Sequence, residues 1–387
     1  MNQSPPTSKT IAVWQPYFMG GGAEAVSLWI LEALAPHYDV TLFTLHSIDL
    51  ERLDILYNTH LSQQTITVKP LLPSALNRDF VKPLIANNSK VRSGLIHWSV
   101  RAFKELNRDY DLVLSTYNGI DMGRRGLQYL HWVHVVEPNP KKMNTWGNIV
   151  MKISDFSLEN LQDNITLANS KYTADNIKDA YGIESRVVYP PVVTEIDAIS
   201  WEQKENSFLC SGRIVKPKQP HQVIEILQKV RDRGFDVKLH ITGGGGGAYQ
   251  QSYERRIKKI AAENSDWIQV YQDLPYKDYL KILARCRYGL HQKPEPFGIS
   301  VAEMVKAGMI PFVRNKGGQV EIVGDHHQDL LFHRQPDAVE KIIAVLENTE
   351  KQKSLLDSLK KQQDLFSVEQ FISEIQMAVA DYFQESD

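Results

Sequence analysis

The chain has 387 residues, 42% hydrophobic and 23% charged, a globular composition too long for one compact core and suited to two domains. Its 44 Lys and Arg nearly cancel 46 Asp and Glu, so no global charge argues for nucleic acid, and any bound anion must be met by local cations. Cys210 and Cys286 are too few for a disulfide framework and lie in no C-x-x-C pair or histidine cluster, so no structural zinc is expected.

Short apolar runs of strand length alternate with longer amphipathic segments, the pattern of βαβ units, so the fold class is α/β with parallel sheets. In chain order the first half predicts strands at Ile11 to Gln15, Val40 to Leu45, Thr65 to Val68, Leu112 to Ser115, Leu127 to Val133, Ile165 to Ala168 and Arg186 to Tyr189. Helices are expected at Glu24 to Leu34, Leu95 to Leu106, Ile149 to Leu161 and Tyr172 to Ala180. Tyr189-Pro190-Pro191-Val192-Val193 interrupts this alternation, because consecutive prolines fix φ and remove two donors. A domain boundary is placed there.

Alternation then restarts with strand Phe208 to Ser211, helix Pro220 to Asp232, strand Val237 to Thr242, helix Tyr249 to Ala262 and strand Ile268 to Tyr271. Helix Tyr276 to Ala284, strand Tyr288 to Gln292, helix Ile299 to Ala307 and strand Ile310 to Val313 follow. The expected organisation is 1–192 and 193–365 as two Rossmann-like domains, with 366–387 as a helix crossing back onto the first. The polar N-terminus runs into Ile11-Ala12-Val13-Trp14 without a leader pattern, and no run of about 18 apolar residues occurs. A cytoplasmic chain that does not span a membrane is expected.

Four segments could carry chemistry. Gly20-Gly21-Gly22-Ala23-Glu24 precedes an apolar-periodic helix, where glycines admit a ligand to the backbone and the helix N-terminus offers free N–H groups. It lacks the Gly-x-Gly-x-x-Gly and Gly-Lys-Ser/Thr spacings, so a plain tight turn accounts for it equally well. Gly243 to Gly247 follows another strand and exceeds what a tight turn needs, although a flexible crossing loop is the other reading. Ser211-Gly212-Arg213, followed by Lys216 and Lys218, puts cations at a strand's carboxyl end, suiting a diphosphate, with Lys216 the more readily explained as a solvated lysine. Glu295-Pro296-Phe297-Gly298-Ile299-Ser300-Val301-Ala302-Glu303 opens a helix whose first N–H groups suit an anion or sugar hydroxyls. An isolated glutamate pair there would be read as complementing the helix dipole.

Taken together, these residues resemble the retaining glycosyltransferases of family four, which have the GT-B fold of two facing Rossmann-like domains. Ala168-Asn169-Ser170-Lys171-Tyr172-Thr173-Ala174, Val188-Tyr189-Pro190-Pro191-Val192 and Gly317-Gly318-Gln319-Val320-Glu321 extend the resemblance over nearly the whole chain. The resemblance implies that Arg213 and Lys218 contact the donor diphosphate, that Glu303 accepts from ribose hydroxyls and that Glu295 holds hydroxyls of the transferred sugar. It further implies that Phe297, Gly298 and Ile299 grip sugar and phosphate through backbone, with Gly243 and Gly244 beside them and Gly21 and Gly22 approaching from the other domain. A histidine of the first domain is expected to face the donor sugar. Strand alternation points His131 and His134 to opposite faces, and His131 is favoured.

No cofactor and no metal are implied, the nucleotide sugar being a substrate of UDP, GDP or ADP type. The one D-x-D, Asp109-Tyr110-Asp111, leads into a strand that it is expected to cap. The family pattern gives Glu295 a binding role, which leaves front-side attack assisted by the leaving phosphate as the expected retaining route. Between Lys69 and Arg108 eight basic residues (69, 78, 82, 90, 92, 101, 104, 108) face two acids, interleaved with Leu95, Ile96, Trp98, Val100 and Phe103. This reads as a docking surface for anionic lipid or an acceptor phosphate, or as a solvated helix face over the core. The expectation is a retaining, metal-independent glycosyltransferase acting on a glycan or lipid-linked acceptor, working in the interdomain cleft on the inner face of the membrane. A sugar-nucleotide epimerase or hydrolase on the same fold, and a non-catalytic nucleotide-sugar-binding subunit, are the alternatives.

Overall fold

A computed structural model describes residues 8–73, 85, 88–135, 145–193, 196, 199–244 and 251–386. It divides into two compact units, 1–191 with 368–387, and 192–367. The first unit is built on a seven-stranded parallel sheet in the order β3-β2-β1-β4-β5-β6-β7. Its strands are β1 (Thr10–Trp14), β2 (Asp39–Thr44), β3 (Ile66–Pro70), β4 (Leu112–Ser115), β5 (Leu127–Leu130), β6 (Ile165–Ala168) and β7 (Arg186–Val187). Ile11, Ala12, Val13 and Trp14 are all fully buried, as a central parallel strand covered on both faces requires. The second unit has a six-stranded parallel sheet, β10-β9-β8-β11-β12-β13. It comprises β8 (Glu205–Ser211), β9 (Lys238–Gly243), β10 (Ile268–Gln272), β11 (Cys286–His291), β12 (Ile310–Arg314) and β13 (Leu331–Phe332).

Several elements depart from their sequence expectation. The strand expected to reach Val133 stops at Leu130, because Asn118 accepts from the His131 N–H and donates to the His134 carbonyl, and Asn169 donates to the His131 carbonyl at 3.0 Å. These side-chain bonds replace the ladder, so His131 and His134 lie in a bend and strand alternation does not govern them. The helix expected from Ile149 to Leu161 is two helices, Thr145–Ser154 and Leu158–Gln162, broken at Asp155 with φ +52° and restarted by Ser157 capping the Asn160 N–H. Helices Leu50–Tyr57, Gln335–Leu346 and Thr349–Gln362 fall in stretches for which no element was predicted. Arg78, Lys82 and Gly245 to Gly247 lie outside the described residues.

The basic segment is more internal than its charge pattern suggests. Helix Ser89–Leu106 starts six residues before the expected Leu95, at an Asn88 cap, and buries Ile96, Val100 and Phe103 in the core. Lys104 turns inward to Asp121 at 2.5 Å, Arg101 meets Glu105 and Asp155, and Lys69 lies over the Phe43 and Tyr110 rings. Trp98, Lys90 and Arg108 stay exposed on this unit. In the D-x-D, Asp111 accepts from the N–H and hydroxyl of Thr10 at 2.7 and 2.9 Å, tying β1 to the approach of β4. The terminal helix Val368–Ser386 packs within the first unit: Phe371 is buried against Tyr129, and Arg186 bridges Glu374 and Asp381. No helix among the described residues is long and apolar enough to cross a membrane.

Asp121 is fully buried and also accepts from the Gly123 and Ser157 N–H groups and from Asn160, so its loss strands the Lys104 ammonium and several donors. Asp121→Ala is expected to cost about 3–5 kcal/mol, the range for breaking a buried pair, read as a lower urea midpoint at unchanged slope.

Candidate active site

In the second unit the strand order reverses between β8 and β11, the position at which open α/β sheets leave a crevice beyond their carboxyl ends. Loops from β8, β9, β11 and β12 leave that edge, and they carry the Ser211-Gly212-Arg213, glycine-run, Glu295 and Gly-Gly-Gln segments respectively. The β8 and β9 loops are laced by backbone: Gly212 N donates to Thr242 O at 3.0 Å, and Ile214 N donates to Gly244 O at 2.9 Å. A Cβ at Gly243 would strike the Gly212 carbonyl, so this close approach requires glycine. The Arg213 guanidinium is exposed and makes no hydrogen bond or ion pair among the described residues.

The β11 loop is held from behind by the loop after β12. Glu295 N donates to Gln319 Oε1 at 2.8 Å, Gly318 N donates to Glu295 O at 2.9 Å, and the buried Gln319 amide also donates to Lys293 O at 3.2 Å. A Cβ on Gly318 would meet the Pro296 carbonyl, which explains the second glycine of that motif. Phe297 is buried and anchors the loop in the core, and Gly298, at φ +111°, starts helix Ile299–Lys306 with no side-chain cap. The first amides of that helix therefore have no intrahelical acceptor.

With its backbone fixed, Glu295 points its Oε1 at Lys218 Nζ, 2.6 Å away, with His291 Nε2 and Lys293 Nζ each at 3.6 Å. Burial alone would raise its pKa, but the His291 imidazole and the Lys218 ammonium outweigh burial and draw it down to about 2. Glu303, inside helix Ile299–Lys306, has a different environment. Its Oε2 accepts from the Tyr279 hydroxyl at 2.8 Å, and Tyr279 accepts from Ser211 at 3.2 Å. Burial raises the Glu303 pKa to about 7, against the opposing hydroxyls of Tyr279 and Tyr276.

In the first unit Gly21 and Gly22 lie at the carboxyl end of β1, beside the corresponding reversal between β1 and β4. Glu24 holds this loop, accepting from Met19 N and Gly20 N at 2.7 and 2.6 Å, while Gly21 N donates to the Tyr57 hydroxyl at 2.9 Å. A Cβ at Gly20 or Gly21 would meet no neighbour, so the space over the loop is open. His131 is buried, and its Nε2–H donates to Thr116 O at 2.7 Å; burial lowers its pKa to about 4, so the ring is neutral at pH 7. Ser27, on the helix that follows the glycines, donates to the same carbonyl at 3.1 Å. His134 is exposed and contributes its carbonyl to Asn118.

Two units built on parallel α/β sheets match the GT-B fold of solved glycosyltransferases, and residues 193–362 match the family model described as Glycosyl transferases group 1. That match covers less than half of the chain, and it is to the family that the sequence motifs resemble. Among curated relatives, the GDP-Man:Man(3)GlcNAc(2)-PP-Dol alpha-1,2-mannosyltransferase of Xenopus laevis is 25% identical over 178 residues, covering 42% of this chain and 37% of that protein. The Homo sapiens protein of the same name is 24% identical over 227 residues, covering 54% of this chain and 46% of its own length. The chain thus spans less than half the length of these relatives. Among solved structures, Anabaena Alr3699/HepE in complex with UDP-glucose superposes with a TM-score of 0.63 at 15% identity, covering 96% of this chain and 99% of that one. WaaG, a glycosyltransferase involved in lipopolysaccharide biosynthesis, gives a TM-score of 0.63 at 13% identity, covering 94% and 99%.

Sequence reasoning missed Tyr57, Tyr279, His291 and, as a clamp, Gln319. Tyr276 and Tyr279, one helical turn apart in front of β11, were the available signal for the Glu303 partner. Tyr57 had none, since only folding brings it to the glycine loop.

A carboxyl group in the place of Glu303 accepts hydroxyl hydrogen bonds well only when charged. Affinity for a nucleotide is therefore expected to rise from about pH 6 to about pH 8 and to be weaker and pH-independent in Glu303→Gln, read by calorimetry. The linked stability runs the other way: folded Glu303 keeps its proton to about 7 against 4.5 for the free group, so its contribution to stability falls as pH rises through that window.

Proposed function

We propose that this chain is a retaining, metal-independent glycosyltransferase that moves mannose from GDP-mannose to a hydroxyl of a lipid-linked or free glycan. The observation that carries the reading is the charge arrangement at the β8 and β11 ends: an unpaired Arg213, Lys218 beside an ionised Glu295, and uncapped amides opening helix Ile299–Lys306. Such a set suits a leaving diphosphate next to a sugar. The similarity to GDP-Man:Man(3)GlcNAc(2)-PP-Dol alpha-1,2-mannosyltransferases supports the preference for GDP-mannose and for a lipid-linked acceptor.

In this reading the bond from the anomeric carbon to the diphosphate oxygen breaks as the acceptor oxygen bonds the same carbon on the same face. The acceptor proton passes to the departing phosphate oxygen. Arg213 and Lys218 stabilise the growing negative charge, Glu303 holds the ribose, and Glu295 orients the sugar hydroxyls. Glu295 is held by Lys218 rather than free beneath the sugar, which supports front-side displacement over a covalent glycosyl intermediate. Neutral His131 provides an apolar-faced ring for the sugar. Lys90, Arg92 and Trp98 on helix Ser89–Leu106 are the groups left to meet anionic lipid.

A thermal-shift panel is expected to show stabilisation by GDP-mannose and GDP above UDP-glucose and UDP. NMR of early product should show a retained α-anomer, and turnover should survive chelator. Arg213→Ala should lower kcat by about 10²-fold or more. An inverted product or chelator-sensitive turnover overturns those parts of the reading, and no shift from any nucleotide overturns the whole. Vesicles of anionic lipid should retain the wild type and release a Lys90→Gln/Arg92→Gln variant in flotation.

A further inference from the structure

His291 ends β11 and is 5% exposed, yet its Nε2 has no hydrogen-bond partner among the described residues. Buried imidazole nitrogens are rarely left unpaired, and an unpaired one calls for an explanation. Glu295 Oε1 stands 3.6 Å from that nitrogen, an ion-pair distance but long for a hydrogen bond. That oxygen is already taken by Lys218 Nζ at 2.6 Å. Lys293 Nζ stands at 3.6 Å as well, on a side chain 35% exposed and free to be solvated.

Lys218 faces two demands. It neutralises Glu295 in the free protein, and its stem lies within 3.8 Å of the space beside Gly212, at the loop that presents Arg213. A diphosphate bound there draws the ammonium away from Glu295, and a mostly buried carboxylate that loses its partner is strongly destabilised. The buried group within reach of the vacated oxygen is His291.

We propose that His291 is a positioning residue for the donor sugar: when Lys218 turns to the diphosphate, His291 Nε2 takes over Glu295 Oε1 and keeps the carboxylate aimed at the sugar hydroxyls. This inference rests on the proposed function, since it needs a nucleotide diphosphate at Arg213 and a sugar at Glu295. Nothing in the sequence motifs assigned a role to His291.

The test measures GDP and GDP-mannose affinities by calorimetry, with UDP and UDP-glucose alongside, for wild type, His291→Asn and His291→Gln. The Gln amide nitrogen reaches the position of Nε2, whereas the Asn amide stops short of it, and both substitutions keep a polar residue of similar bulk. The expected result is that His291→Asn loses at least about tenfold of the affinity added by the sugar, the ratio of the GDP to the GDP-mannose Kd, while GDP itself changes less than about threefold. His291→Gln should restore that ratio, and Lys293→Ala should leave it unchanged. Equal ratios in wild type and His291→Asn overturn the proposal, as does an equal loss in the Asn and Gln variants for nucleotide with and without sugar, which marks a structural role. If wild type binds no nucleotide at all, the functional reading fails and the proposal falls with it. If it prefers the UDP pair, only the choice of donor is wrong, and the same ratio is read with UDP and UDP-glucose.

Discussion

Lys218 reaches Glu295 across 77 positions of sequence, and its ammonium joins the loop leaving β8 to the loop leaving β11 at the point where the sheet order reverses. That cation and the His291 imidazole together outweigh burial, so Glu295 stays ionised. The pair works only because both backbones are fixed first. Gln319 and Gly318 grip Glu295 on the β11 side, while Gly212 and Gly243 approach closely on the β8 side. Gly243 and Gly318 each remove a Cβ that would otherwise keep two loops apart, so the charge geometry is set by backbone packing.

The two glutamates of the E-x7-E segment illustrate how environment divides identical side chains. Glu295 is surrounded by cations and is ionised over the whole physiological range, whereas Glu303 is surrounded by hydroxyls and apolar groups and titrates near neutrality. One acid is thus a constant negative charge beside Lys218, and the other accepts hydrogen bonds with a strength that pH adjusts. Tyr279 links Glu303 back to Ser211 at the end of β8, so the same strand that presents Arg213 also orders Glu303.

The first unit uses a related construction with neutral partners. Glu24 and Tyr57 organise the glycine loop, and the Thr116 carbonyl collects His131 and Ser27. Three of the basic residues that make the Lys69 to Arg108 stretch conspicuous, Lys69, Arg101 and Lys104, are held by partners within the unit. Lys104 closes over Asp121, and Arg101 ties helix Ser89–Leu106 to Asp155. A local charge excess in sequence does not distinguish a cation aimed at solvent from one satisfied by a partner brought in from elsewhere in the chain.

The α/β class, the parallel order of most strands, the strand-end location of Arg213, Lys218 and Glu295 and the helical place of Glu303 were legible in sequence, because periodicity and turn chemistry are local properties and each motif lies within a dozen residues. The end of β5 at Leu130, the break at Asp155 and the inward turn of Lys104 were not, since side chains distant in sequence, Asn118, Asn169 and Asp121, decide them. For the same reason the sequence named both glutamates but not their partners: His291, Tyr279, Gln319 and Tyr57 acquire roles only through contacts that folding creates. Sequence by itself determined which residue types stand at the strand ends. Tertiary structure alone decided their charge states and neighbours, because a pKa and a hydrogen bond depend on distance and burial, which the order of residues does not contain.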